Sequence, residues 1–161
     1  GKEVVPLGAM LAKLRAAADA RSEEDILVVA RTDARAVLGF EAALERCRAF
    51  ADAGADIIFC EAPATEEELA RVPREVPAPC LVNVVEGGRT PVLPRERLEA
   101  LGYKIAIYPV TLLFAAASGM LRQLRLGSHP FQTWEGPLSF EDLRELVGFQ
   151  EHEERMKRYR G

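Results

Sequence analysis

The sequence predicts an α/β fold built on four parallel strands joined by crossover helices. Four short runs are apolar throughout, without polar alternation, which is typical of strands buried on both faces of a sheet. Their first residues lie 31, 23 and 25 residues apart, which leaves room for one helix between successive strands. The predicted strands cover residues 26–30, 57–59, 80–82 and 105–107.

Helical periodicity fills the segments between these strands. Residues 40–53 carry an apolar stripe of period 3.6, and Thr65 with Glu68 three residues later forms a capping-box pattern. Ser139 is expected to cap a helix near the C-terminus, and Gly148 to interrupt it. Further helices are predicted over residues 6–20, 94–101, 111–126 and 150–160.

Two architectures accommodate this order of elements: an open doubly wound sheet and a section of a (β/α)8 barrel. A full barrel needs ~250 residues, whereas the chain has 161. We expect residues 1–127 to hold the four strand–helix units. Residues 128–161 would add a loop and helices to the same domain.

The composition excludes several classes of protein. A net charge of −4 argues against a nucleic-acid partner, which usually meets a basic face. No apolar run approaches the ~20 residues of a membrane span, and the first residues lack the apolar core of a signal peptide. The three cysteines have no CxxC spacing, so neither a disulfide framework nor a zinc site is expected, and a cytoplasmic location is predicted.

Polar side chains follow each predicted strand. Arg31, Glu61, Asn83 and Tyr108 come at or just after the ends of the four apolar runs. The carboxyl ends of parallel strands meet at one rim, where α/β proteins place their chemistry. An arginine there can bind a carboxylate through two parallel hydrogen bonds. The pattern therefore predicts a site for a small, anionic, oxygen-rich substrate.

Structural roles for the same residues remain open. Glu61 could form an ion pair with Arg31, and Asn83 could cap the loop that follows it. A direct pair between Arg31 and Asp33 is not expected, because an extended strand is taken to direct the two side chains to opposite faces. Cys60 is interpreted as a core residue.

Four segments, taken in order, resemble the isocitrate lyase and phosphoenolpyruvate mutase superfamily. They are the V-A-R-T-D-A strand at 29–34, the A-G-A-D unit with its strand and glutamate at 53–62, the L-V-N…E-G-G-R-T-P stretch at 81–91 and the L-G-Y-K unit at 101–109. The last two are closest to the branch that contains dimethylmalate lyase, oxaloacetate decarboxylase and carboxyphosphonoenolpyruvate phosphonomutase.

The resemblance implies the C-terminal half of a (β/α)8 barrel and a bound Mg²⁺. It also implies a carbon–carbon lyase or decarboxylase acting on a small 2-oxo or 2-hydroxy carboxylic acid, through an enolpyruvate-like intermediate held on the metal. Arg31 would be catalytic and bind the substrate carboxylate or enolate oxygen. Glu61 and Asn83 would hold substrate oxygens, and Tyr108 and Pro109 would form the pocket wall.

The family's metal aspartates and its K-x-C-G-H loop precede the A-R-T-D-A strand, and neither occurs in this chain. The metal ligands are therefore expected upstream of residue 1, and activity of the chain alone is doubtful. Two alternatives stay open: a phosphonomutase of the same superfamily, and a non-catalytic half-barrel that oligomerises. The expected partners are a small carboxylic acid and other copies of the chain, without nucleic acid or membrane.

Overall fold

The computed structural model describes residues 2–21, 25–124 and 138–159. The chain separates into two compact units, Gly1–Ala116 and Ala117–Gly161. The first unit contains the whole sheet. The expectation that 128–161 belongs to the same domain as 1–127 stays a prediction.

Four parallel strands form one sheet in the order β1-β2-β3-β4, which confirms the predicted arrangement. A doubly wound sheet reverses its strand order at a switch point, whereas a barrel places successive strands side by side. The sequential order is therefore that of a barrel wall. The strands are β1 Val29–Thr32, β2 Ile57–Cys60, β3 Cys80–Asn83 and β4 Ile105–Ile107.

The predicted helices are present, and one that the sequence did not predict lies among them. This helix, α2, has five residues, too few for a 3.6-residue stripe to be visible. Parts of the predicted elements, residues 125–126, 128–137 and 160, lie outside the described residues. The helices are α1 Leu7–Ala20, α2 Ala34–Leu38, α3 Phe40–Asp52, α4 Glu66–Glu75, α5 Arg95–Leu101, α6 Thr111–Leu124, α7 Phe140–Leu146 and α8 Phe149–Tyr159.

Both predicted caps form. The Thr65 hydroxyl accepts a hydrogen bond from the Glu68 amide at 3.1 Å, and the Glu68 carboxylate in turn accepts from the amide of Ala64 at 2.6 Å. Ser139 and Asp142 make a complete capping box at the start of α7. These local hydrogen bonds satisfy amides at the helix N-termini that lack a partner within the helix.

The two faces of the sheet have different surroundings. One face packs into the larger core, where side chains of the helices cover Ala30, Ile58, Cys60 and Val82. The other face carries a small separate cluster of four residues. A sheet with helices on one face and a small apolar interior on the other is half of a (β/α)8 barrel. The cluster comprises Ile57, Phe59, Leu81 and Ile107.

The first strand begins three residues later than predicted. Ile26 and Leu27 are 60% and 66% exposed, and the regular pairing with β2 starts at Val29. Apolarity alone predicted residues 26–28 as strand, but a strand needs a hydrogen-bonding neighbour along its length.

None of the helices in the described ranges is long and apolar enough to cross a membrane.

Candidate substrate site at the strand ends

Arg31, Glu61 and Asn83 lie at the same end of the sheet, as the strand order requires. Arg31 is the third residue of β1, Glu61 directly follows β2, and Asn83 ends β3. The Arg31 Nη2 atom lies 3.3 Å from Glu61 Oε2, so the ion pair considered from the sequence is present. Glu61 and Asn83 line one cavity of about 540 Å³. Arg31 and Glu61 are thus in contact, and Glu61 shares a cavity with Asn83.

Arg31 and Asp33 pair directly, so the expectation that they would not pair is wrong. Arg31 Nε donates to Asp33 Oδ2 at 2.8 Å, and Nη2 donates to Oδ1 at 3.2 Å. The physical reason is that side chains two positions apart in extended backbone lie on the same face, and Asp33 directly follows the last strand residue, Thr32. The Lys2 ammonium also contacts Asp33. Lys2 was not predicted for the site. It lines both the cavity of Glu61 and Asn83 and a neighbouring cavity of about 380 Å³.

These contacts set the charge state of the group. Hydrogen bonding from Arg31, helped by Lys2, lowers the pKa of Asp33 to about 2. The hydrogen bond to Asp33 in turn raises the pKa of the Arg31 guanidinium. Arg31 also lies over the Phe59 ring, 4.9 Å from its centroid. Its Nη1 atom makes no hydrogen bond within the described part of the chain, so this edge is available to a ligand.

Two acceptor oxygens of this cavity are buried and lack a hydrogen-bond partner among the described residues: Glu61 Oε2 and Asn83 Oδ1. The Glu61 oxygen is close to Arg31 but not in hydrogen-bond geometry. A buried acceptor without a donor costs about 1–3 kcal/mol. Asn83 Oδ1 is such an atom, and Glu61 Oε2 is compensated only by the nearby Arg31 charge, so the cavity suits a ligand that brings donors or a cation.

The backbone beside Glu61 is strained. Ala62 lines the cavity with a φ of +57°, a left-handed conformation that residues other than glycine rarely adopt. The loop that follows is fixed by the Glu68 carboxylate, which accepts from Ala64 and from Arg35 Nε and Nη2 at 3.1 and 3.0 Å. The left-handed residue was not predicted, because an alanine carries no signal for a positive φ.

Tyr108 and Pro109 are not brought to this cavity. Tyr108 is 44% exposed and lines a separate cavity beside α5, together with Tyr103 and Arg95. Asn83 pairs with Ile107 in the sheet register, so Tyr108, one residue later, falls on the opposite side. Pro109 is exposed. Their role as a pocket wall stays a prediction.

The oxygen atoms of Glu61 and Asn83 suit a magnesium ion, which prefers hard oxygen ligands in an octahedral shell. They would fill only part of such a shell. Within residues 2–21, 25–124 and 138–159, no group of three or more histidine, cysteine, aspartate or glutamate side chains could hold a metal. The residues present therefore fit magnesium as contributors to a larger ligand set.

The three cysteines are free and buried.

The fold is that of half of a (β/α)8 barrel, with Arg31, Glu61 and Asn83 at one rim of the sheet. The model of the family described as phosphoenolpyruvate phosphomutase matches residues 1–126. The chain belongs to the phosphoenolpyruvate mutase/isocitrate lyase superfamily.

Individual relatives agree with this assignment. The chain is 48% identical over 121 residues to 2,3-dimethylmalate lyase from Eubacterium barkeri, covering 75% of this chain and 42% of that protein. Its structure is similar to that of oxaloacetate acetylhydrolase in complex with oxalate, with a TM-score of 0.89 and 32% identity. That match covers 99% of this chain and 57% of the other.

A further similar structure is phosphonopyruvate hydrolase in complex with oxalate and magnesium, with a TM-score of 0.75 and 27% identity. This match covers 98% of this chain and 57% of the hydrolase. The chain spans about half the length of the curated relatives it matches.

Proposed function

We propose that the protein carrying this chain is a carbon–carbon lyase or decarboxylase acting on a small 2-oxo or 2-hydroxy carboxylic acid. The observation that carries the proposal is the group at the strand ends: two buried, unsatisfied oxygens of Glu61 and Asn83 share a cavity, with the Arg31 guanidinium 3.3 Å from Glu61. The similarity to dimethylmalate lyase and oxaloacetate acetylhydrolase supports the choice of reaction.

Each residue has a defined part in this proposal. Arg31, held by Asp33 through Nε and Nη2, uses Nη1 to bind the substrate carboxylate or a developing enolate oxygen. Glu61 Oε2 accepts a hydrogen bond from a substrate hydroxyl, and Asn83 orients a second oxygen. Because Asp33 keeps its charge down to about pH 2, Arg31 stays oriented across the physiological range.

Magnesium belongs to the proposal as the cofactor. When bound, it would polarise substrate oxygens and stabilise negative charge as it develops there. Glu61 and Asn83 would contribute to its surroundings, and the other ligands would come from outside residues 1–161. The chain residues themselves bind and orient the substrate. We further propose a cytoplasmic location, supported by three free cysteines.

Replacement of Arg31 tests the proposed role. Arg31→Lys keeps the charge but not the planar fork, so kcat/KM for cleavage of 2,3-dimethylmalate or oxaloacetate should fall on the order of 100-fold. Arg15→Lys, an exposed arginine of α1 that lines neither this cavity nor the one beside Arg31, is the matched control. Product formation is followed by proton NMR with Mg²⁺ present, and circular dichroism checks the fold. Near-normal turnover by folded Arg31→Lys would make Arg31 a structural residue.

A phosphonomutase is the second candidate. The matching family model is described as phosphoenolpyruvate phosphomutase, and phosphonopyruvate hydrolase is a structural neighbour. Phosphonopyruvate followed by phosphorus NMR separates the two chemistries, since only carbon–phosphorus chemistry changes its phosphorus signal. Conversion of phosphonopyruvate without cleavage of the carboxylic acids would favour this candidate over the lyase.

A further inference from the structure

The chain bends sharply at residues 62–64, directly after Glu61. Ala62 is left-handed there, a conformation that is unfavourable for alanine and persists only where the flanking chain is held from both sides. On one side, the Glu61 amide donates to the Thr32 carbonyl at 3.0 Å. On the other side, the Ala64 amide donates to Glu68 Oε2 at 2.6 Å. Glu68 therefore holds the far end of the bend.

The Glu68 carboxylate is itself fixed by Arg35 of α2. Arg35 Nε donates to Oε2 at 3.1 Å and Nη2 donates to Oε1 at 3.0 Å, so the guanidinium fork contacts both oxygens. The two side chains are 24% and 18% exposed. Burial opposes the charge of Glu68, but the hydrogen bonds from Arg35 and Ala64 outweigh it and lower the pKa of this carboxyl group. The ion pair is therefore charged at neutral pH.

This ion pair joins two walls of the cavity that holds Glu61. Arg35 lies on the segment that follows β1, and Glu68 lies on the segment that follows β2. From the first segment, Ala36 and Val37 line the cavity, and from the second, Glu61 and its neighbour line it. The separation of the two walls therefore depends on the ion pair.

Capping of α4 does not account for these contacts of Glu68. The cap is the hydrogen bond from the Glu68 amide to the Thr65 hydroxyl at 3.1 Å, and it does not involve the carboxylate. Arg35 belongs to a different helix and adds nothing to the cap. The cap and the ion pair can therefore be removed separately.

We infer that Glu68, held by Arg35, is a positioning residue that fixes the bend at residues 62–64 and so directs the Glu61 carboxylate into the cavity. Glu68 is not among the described residues that line this cavity, so it acts through Glu61 and not on the substrate. The inference rests on the proposed function, in which Glu61 accepts a hydrogen bond from the substrate.

The test is a double-mutant cycle on kcat/KM for cleavage of 2,3-dimethylmalate or oxaloacetate, in the protein that carries this chain and with Mg²⁺ present. Glu68→Gln keeps the side-chain size but turns an NH₂ group towards the donors of Arg35 or Ala64, so kcat/KM should fall about tenfold as Glu61 is displaced. Added to Glu61→Gln, the same change should lower kcat/KM no further, because its effect passes through Glu61. Thr65→Ala is the matched control: it removes the cap, lowers the urea midpoint as Glu68→Gln does, and should keep the kcat/KM of the unchanged protein.

The outcomes separate this inference from the function on which it rests. If the unchanged protein cleaves neither acid, or if Glu61→Gln keeps full kcat/KM, the proposed function or the role of Glu61 is wrong, and the inference falls with it. If Glu61→Gln loses activity while Glu68→Gln keeps it, or if the two effects multiply, only the positioning role is overturned. The same holds if Thr65→Ala lowers kcat/KM as much as Glu68→Gln, because lost stability would then explain both. Should Glu68→Gln lose its fold by circular dichroism, Arg35→Lys removes the fork from the other end; kcat/KM should then fall severalfold, and an undiminished value would overturn the inference.

Discussion

Removing the charge of Asp33 should destabilise the protein in a pH-dependent way. Its pKa is lowered from the ordinary 3.8 to about 2, first by the hydrogen bond from Arg31 and then by Lys2. A carboxyl group whose pKa is lower in the folded state stabilises the fold above its unfolded pKa. That contribution is lost as the pH falls from about 4 towards 2. Asp33→Asn should therefore be less stable than the unchanged protein at pH 6 and approach it at low pH.

The size of the effect follows from the same geometry. A pKa lowered by just under 2 corresponds to at most about 2.5 kcal/mol, at 1.36 kcal/mol per pH unit. The Arg31 and Asp33 side chains are 46% and 24% exposed, so solvent screens part of their attraction. We therefore expect Asp33→Asn to lower the free energy of unfolding by about 1 kcal/mol at pH 6.

Urea unfolding at fixed protein concentration measures this difference between pH 6 and pH 2.5. Asp52→Asn is the control, because Asp52 lies on the exposed side of α3 and has no ion pair among the described residues. The control should show no comparable loss of stability at pH 6. A loss below about 0.3 kcal/mol for Asp33→Asn at pH 6, or a loss that persists undiminished at pH 2.5, would refute the reasoning.

Three further outcomes are expected. Glu68→Gln should lower the free energy of unfolding by about 1 kcal/mol, because Arg35 loses a half-buried carboxylate held at 3.0 and 3.1 Å; an unchanged urea midpoint would contradict this. Gly102→Ala should cost about 1–2 kcal/mol, because φ is +105° and the new Cβ would lie 3.3 Å from Pro73. Gly119→Ala, in open space within α6, should instead stabilise the helix, and thermal melts compare the two. Finally, the 17.7 kDa chain on its own should sediment as a dimer or larger species at micromolar concentration, because β1 and β4 each lack a second neighbouring strand within the described residues; a sharply melting monomer would show that these edges need no partner.

The strands and the helix starts could be predicted from the sequence because they depend on residues that are close together in the chain. Uniformly apolar runs marked the four strands, and Thr65 and Ser139 marked helix starts through hydrogen bonds that span three residues. Parallel strands then required Arg31, Glu61 and Asn83 to meet at one rim, since all parallel strands end on the same side. The resemblance to the superfamily also depended on these strands and the residues that follow them.

Tertiary structure decided which of these residues share a cavity and in what charge state. Lys2 reaches Asp33 across 31 positions of sequence, and no local pattern carries such a contact. Tyr108 turns away from Asn83 because the register sets its face, and register depends on the neighbouring strand. Ile26 and Leu27 are as apolar as typical strand residues, but they are exposed and do not pair with β2. The amino-acid sequence by itself determined the four strands and the rim at which they end, but neither α2 nor the start of β1. The pairing of charges required distances between segments, which only the packed chain supplies.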